Sequence, residues 1–174
     1  MKHRLAPLGA IALAVVAVAS PAFADSSGGG RRSLTLHSRT TNSGPLVQHP
    51  AACDATGQCI GTYSSPNSVT GDLSGTLNVE GIVQLVVGQP VAKQGNVQLF
   101  NGTVAGCGTG TFVMHLPLQP ISLIEPTSSD ASIIDGTGTG ELAGITGKVR
   151  EGFTPDPLGG GVGDFTFKIR CRPR

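Results

Sequence analysis

A marked excess of charge of either sign is missing from this chain. Its 174 residues carry 12 basic and 11 acidic side chains, a net charge of +1. A chain so balanced has no field with which to collect nucleic acid or an anionic bilayer. Long apolar runs are scarce too: the longest, Leu8 to Ala19, falls short of the roughly 20 residues that a membrane span needs. No stretch shows a persuasive amphipathic-helix pattern. The sequence also lacks a Gly-x-Ser-x-Gly elbow and a His-Glu-x-x-His run, so hydrolase chemistry of those kinds has no foothold. Nucleic-acid binding and stable membrane insertion are thereby disfavoured, and no motif calls for a metal or a cofactor.

What is present begins with an export signal over residues 1–24. Lys2 and Arg4 give a basic start, Leu8 to Ala19 an apolar centre, and Ala22-Phe23-Ala24 a small-x-small cleavage site. No cysteine near that site offers a lipid anchor. Cleavage leaves 150 residues with 10 basic and 11 acidic side chains, enough for one domain with a single core. Residues 25–32 read as a flexible tail and 33–174 as the domain. The destination is secreted or periplasmic, where disulfides persist. All four cysteines survive processing, and four allow three connectivities. Cys53–Cys59 is favoured because it brackets a plausible turn, and Cys107–Cys171 because it would tie the last strand to a central one. Zinc held by His49, Cys53 and Cys59 is a weak alternative at that loose spacing.

Glycine next to threonine is the recurrent phrase: Gly75-Thr76-Leu77, Gly102-Thr103-Val104, Gly106 to Phe112, and Gly136 to Gly144. Threonine and β-branched residues favour strands, and glycine among them marks bulges, bends and close backbone approaches. Strands are expected at 33–40, 58–64, 69–79, 97–104, 110–116, 132–142, 145–153 and 162–171. A turn is expected at Ser65-Pro66-Asn67, and a long loop punctuated by Pro117, Pro120 and Pro126. Ile82 to Val87 could be a strand or one helical turn. The fold class is therefore all-β, a single eight-stranded antiparallel barrel with few or no helices. Such a barrel is just wide enough to be filled by side chains or to hold one small ligand.

The last strand sets the barrel's polarity. Phe165, Phe167, Ile169 and Cys171 share one face and should point inward, because burying unpaired cations is prohibitive. Lys168, Arg170, Arg172 and Arg174 share the opposite face, a solvated surface on the first reading and an anion site on the second. Phe112, Met114 and Leu116 should also face inward. If Cys107 does as well, strict alternation fails by one residue, and a bulge at Gly108 or Gly110 would restore it. That bulge would turn His115 outward.

The phrases Asn101-Gly102-Thr103-Val104-Ala105-Gly106, Gly110-Thr111-Phe112-Val113 and Gly136 to Gly147, with Thr70 to Gly75 before them, resemble the allene oxide cyclase-like barrel superfamily. They are closest to a bacterial exported group of unknown function, and plant dirigent proteins carry a related signature. The likeness spans about residues 60 to 172 and implies an eight-stranded antiparallel barrel with a central apolar cavity. Members with known roles steer reactive small molecules, by cyclisation or guided coupling, without a bound cofactor. The polar pocket residues of the plant cyclase and of dirigent proteins find no one-to-one match in this sequence, so the fold carries over and the activity does not.

Five residues form the expected ligand cavity: Phe100, Phe112, Met114, Phe165 and Phe167. The candidates for acid–base work are His115, Glu141, Asp72 and Tyr63, each with an equally good surface or turn reading, and any inward acid would become the first suspect. Asn101 begins a glycosylation sequon inside a strand and is set aside. Gly138-Thr139-Gly140-Glu141-Leu142-Ala143 fits the loose dinucleotide pattern, yet Gly144-Ile145-Thr146-Gly147 cannot start the helix that pattern requires. The first functional expectation is an exported barrel binding a small hydrophobic molecule in its lumen. A cofactor-free cyclase or isomerase is the second, and a structural barrel acting through its surface, with homo-oligomers possible, is the third.

Overall fold

The computed structural model describes residues 30–42, 47–155 and 161–172. The expected signal, most of the expected tail, and Arg174 lie outside them. Nine antiparallel strands follow in chain order: β1 (Arg32–Asn42), β2 (Val47–Cys53), β3 (Gln58–Gly71), β4 (Leu73–Val86), β5 (Val91–Val104), β6 (Gly108–Ser122), β7 (Thr127–Ile133), β8 (Thr146–Pro155) and β9 (Gly161–Cys171). Eight of them form a ring in the order β1-β9-β8-β7-β6-β5-β4-β3, which the β1–β3 pairing closes. Closure removes the edges that an open sheet would leave unpaired. Among the described residues the only helical element is one 3-10 turn, Gly140–Leu142.

β2 is the element the sequence hid. Two prolines and a glycine between Asn42 and Pro50 suggested a break, but β2 pairs with the first half of β3, Cys53 facing Cys59. β1 pairs with the second half of β3, ending where Asn42 meets Asn67. The handover explains why Ser65-Pro66-Asn67 is strand and not turn. Pro66 pairs with Asn78 of β4 on one side and falls between the β1 and β2 partners on the other. No hydrogen bond is asked of its missing N–H. The chain reverses instead at Gly71-Asp72, where the Asp72 carboxylate accepts the His37 N–H at 2.8 Å.

Three further expectations are corrected. β6 runs through Pro117 and Pro120 to Ser122, because the irregularity lies at Gly95, opposite Pro117 and Leu118. Residues 134–142 are not strand: β7 ends at Ile133 and the chain turns into the 3-10 segment. Ile82 to Val86 is the end of β4. The register from Thr103↔Thr109 to Val97↔His115 is unbroken, so there is no bulge at Gly108 or Gly110. Cys107 escapes the alternation because it sits in the β5–β6 turn.

Inside, Phe100, Phe112, Leu73, Met114 and Ile169 are each 1% exposed or less. Removing such a side chain from water contributes roughly 1.5–3 kcal/mol. Phe100 and Phe112 pack at 4.8 Å between ring centroids, Phe165 and Phe167 at 5.8 Å. One barrel end is plugged by buried Leu142 and Ile145 and by the Cys107–Cys171 disulfide. The second disulfide, Cys53–Cys59, joins β2 to β3 at the other end.

Candidate functional site

The unplugged end of the lumen is polar. It is lined by the first half of β3, β5 from Gln94 to Gln98 and the second half of β8, and five side chains meet there. Tyr63 comes from β3, Gln94, Asn96 and Gln98 from β5, and Glu151 from β8. Alternation supplies the inward set: Asn96, Gln98 and Phe100 share one face of β5, and Val149 and Glu151 share one face of β8.

Gly81 of β4 lies between Tyr63 and Asn96 and pairs with both. Having no side chain, it lets the tyrosine ring lean across β4 toward β5; a Cβ there would stand 2.4 Å from Tyr63 Cζ. Tyr63 Oη accepts from Gln94 Nε2 and from Asn96 Nδ2, the latter at 3.0 Å. Asn96 Oδ1 accepts from Gln98 Nε2 at 2.9 Å. The same Nε2 donates to Glu151 Oε2 at 3.1 Å. Because β6 and β7 stand between β5 and β8 in the ring, that last bond reaches across the lumen rather than along the wall.

One atom along this row of hydrogen bonds has no partner among the described residues. Gln98 is 1% exposed and its Oε1 accepts no hydrogen bond. An amide oxygen buried in that way costs about 1–3 kcal/mol until a donor reaches it. Other inward polar groups differ: Ser38 Oγ accepts the Leu73 N–H at 2.8 Å, and Asn67 Nδ2 donates to the Ser65 and Leu77 carbonyls. Those groups are bound into the wall. Thr127 Oγ1 of β7, on the strand beside Glu151, is the other buried oxygen without a partner among the described residues.

Burial pushes the Glu151 carboxyl above its ordinary range, and the Gln98 hydrogen bond offsets that only in part. Burial also raises the Tyr63 phenol, and the nearby Glu151 charge adds to the rise, against the Asn96 and Gln94 bonds. Both groups thus favour their protonated, neutral forms. The site can present a carboxyl whose neutral form burial favours, a phenolic hydroxyl and an unfilled amide acceptor to one small molecule standing on the apolar layer of Met114 and Phe100.

Of the residues singled out in the sequence, Tyr63 alone among the acid–base candidates reaches this site. His115 is exposed on the outside of β6, facing Val97 and Ser132 on its neighbours. Glu141 sits in the 3-10 turn and accepts the Thr109 N–H at 2.8 Å. Asp72 holds the β3–β4 turn, and Asn101 is exposed. The five expected cavity residues are all inward and buried. Gln98 and Glu151 were missed, although the alternation that placed Phe100 and Val149 inward places them inward too. Gly138 serves packing: its Cβ would stand 2.1 Å from the Leu142 carbonyl oxygen. His49 is part of β2, and Cys53 and Cys59 are joined to each other, so the zinc alternative loses two of its ligands.

Comparison with known proteins turns on the shape. A protein of unknown function from Shewanella oneidensis MR-1, of the DUF3224 family, superposes with a TM-score of 0.58 at 16% identity, over 83% of this chain and all of that one. The two share a fold. A pterocarpan synthase dirigent protein, GePTS1, superposes with a TM-score of 0.49 at 11% identity, over 91% of this chain and 99% of that one. No family model matches the sequence, and no curated protein matches it. Barrel architecture is therefore shared with a solved structure whose own role is open, and the chemistry has to be argued from the lumen itself.

Proposed function

We propose that this protein binds one small, largely apolar molecule in the unplugged end of its barrel, with the molecule's polar end at Gln98 and Glu151. The observation that carries the reading is the buried, unpartnered Gln98 Oε1 beside a carboxyl whose pKa burial raises. A core built for packing alone would hold an apolar residue there, as it does one layer deeper at Phe100. A ligand hydroxyl donating to Gln98 and accepting from Glu151 would satisfy both. Two disulfides fit an oxidising compartment, in keeping with an exported carrier or receptor for such a molecule.

The test is titration of the purified protein with environment-sensitive hydrophobic dyes, followed by displacement with phenols and long-chain alcohols. Saturable uptake at one site per chain is expected. Gln98→Leu should weaken the hydroxylated competitors by about tenfold, the worth of one buried hydrogen bond, while leaving a purely apolar dye within about twofold. Absence of any saturable uptake would sink the reading.

An inward acid linked to a tyrosine through Gln98 and Asn96 also favours a second reading, cofactor-free isomerisation of a bound substrate. Glu151 would then exchange a proton with the substrate, and the lumen would hold it in one conformer. Turnover that Glu151→Gln abolishes without weakening binding separates catalysis from carriage.

A further inference from the structure

The outer wall of β7, β8, β9 and β1 carries cations in two halves that are treated differently. In the lower half, Arg150 meets Asp130 at 3.7 Å and donates to Ser128 Oγ at 2.7 Å, and Arg39 meets Asp164 at 3.8 Å. In the upper half, Lys148 and Lys168 stand directly opposite each other on β8 and β9, and Arg170 follows two residues along, opposite Thr146. Among the described residues none of these three makes an ion pair. Like charges directly opposite one another oppose strand pairing, so the wall bears a cost here that it avoids lower down.

The same residues line a groove of about 560 Å³, which lies within the range of small-ligand sites. Hydroxyls frame it: Ser132 pairs with Lys148 on one flank, and Ser33 pairs with Arg170 on the other. Thr146 lies between them, and Asp135 is the one acid in the lining. Three cations against one acid leave a local excess of positive charge on a chain that is otherwise balanced. Neighbouring strands are about 4.8 Å apart and same-face residues about 7 Å apart along a strand. Such a triangle spans two linked tetrahedral oxyanions, and guanidinium and ammonium groups are the usual partners of such anions.

We propose that this groove binds a small polyanion bearing two or more phosphate or sulfate groups, held by Lys148, Lys168 and Arg170. The site is independent of the lumen and does not require the lumen to bind anything. Its ligand supplies the counter-charge that the lower half of the wall takes from Asp130 and Asp164.

Calorimetric titration of the protein with pyrophosphate, and separately with a disulfated sugar, tests this. One site per chain is expected, weakening as sodium chloride is raised through the Debye-screening range. Lys168→Gln should lower the affinity about tenfold or more, and Arg170→Gln should act in the same direction. With the anion absent, Lys168→Gln should raise the melting temperature by about 1–3 °C, because it removes the like-charge pair. Failure of both anions to bind at low ionic strength overturns the proposal. So does wild-type affinity in the Lys148→Gln/Lys168→Gln double variant, or binding to phosphatidylglycerol vesicles without binding to pyrophosphate. A fall in the melting temperature of anion-free Lys168→Gln would show that the lysine already has a partner, and would equally overturn it.

Discussion

Glu151 illustrates how a single side chain can be costly to a fold and useful to a site. Its neighbours on β7 and β9 are Ser129 and Phe165, neither of which can neutralise a carboxylate. Burial raises its folded pKa above the unfolded value, so the native state holds the proton more tightly than the unfolded chain does. Below the unfolded pKa both states are protonated and the residue is neutral in the balance. As pH rises through the unfolded value toward the folded one, the unfolded state gains by ionising first, and native stability falls. Glu151→Gln keeps the shape and the Gln98 contact but cannot ionise. At pH 7 it should be more stable than the parent by about 1–2 kcal/mol, or roughly 3–6 °C in melting temperature. The gap should close below about pH 4. Melting curves across that range check it, and a gap independent of pH would show that the carboxyl is solvated.

At the scale of the element, the arrangement of β3, β4 and β5 depends on Gly81 as much as on the residues that make hydrogen bonds. Gly81→Ala places a methyl inside the Tyr63 ring, which must swing away and give up its bonds to Gln94 and Asn96. A loss of about 1–3 kcal/mol is expected. In a Tyr63→Ala background the same change should cost almost nothing, and a double-mutant cycle by urea denaturation reads the coupling. This region also shows what the sequence disclosed and what it withheld. Strand type was legible wherever threonine and β-branched residues alternated, as in β9 and the second half of β5. Proline misled the reading at Pro66, Pro117 and Pro120, because a proline's tolerance depends on whether a neighbouring strand needs its N–H, and that is a tertiary fact. Tyr63, the chain's single tyrosine, was among the acid–base candidates. Gln98 and Glu151 could have been placed by alternation alone. Their meeting could not, because β5 and β8 are distant in sequence and only ring closure brings them face to face.

Across the whole molecule the two ends of the barrel divide the labour. One end is fixed: the 3-10 turn inserts Leu142, the Thr139 carbonyl lies against Gly110 where a Cβ would intrude, and Cys107–Cys171 ties the β5–β6 turn to the last residue of β9. The polar chain runs from Tyr63, toward the other end, to Gln98 and Glu151 near mid-barrel, Gln98 six residues along β5 from Val104 at the plugged end. Closing a loop of 64 residues is worth about 4 kcal/mol on the chain-entropy account. Replacing both cysteines with serine should therefore lower the melting temperature by roughly 8–16 °C. Because the plug is remote from Gln98, affinity for a lumen ligand measured well below the new melting point should stay within about twofold. Cys53–Cys59 closes a far shorter loop, and removing it should cost roughly 2 kcal/mol, yet its loss loosens β2 against β3 beside Tyr63. It should change ligand affinity more than the plugging disulfide does, in spite of its smaller effect on stability. Thermal melts paired with dye titration on the two serine variants measure both quantities. If affinity instead fell in proportion to stability in both variants, the barrel would be responding as one cooperative body, and the separation of a rigid plug from a binding mouth would be wrong.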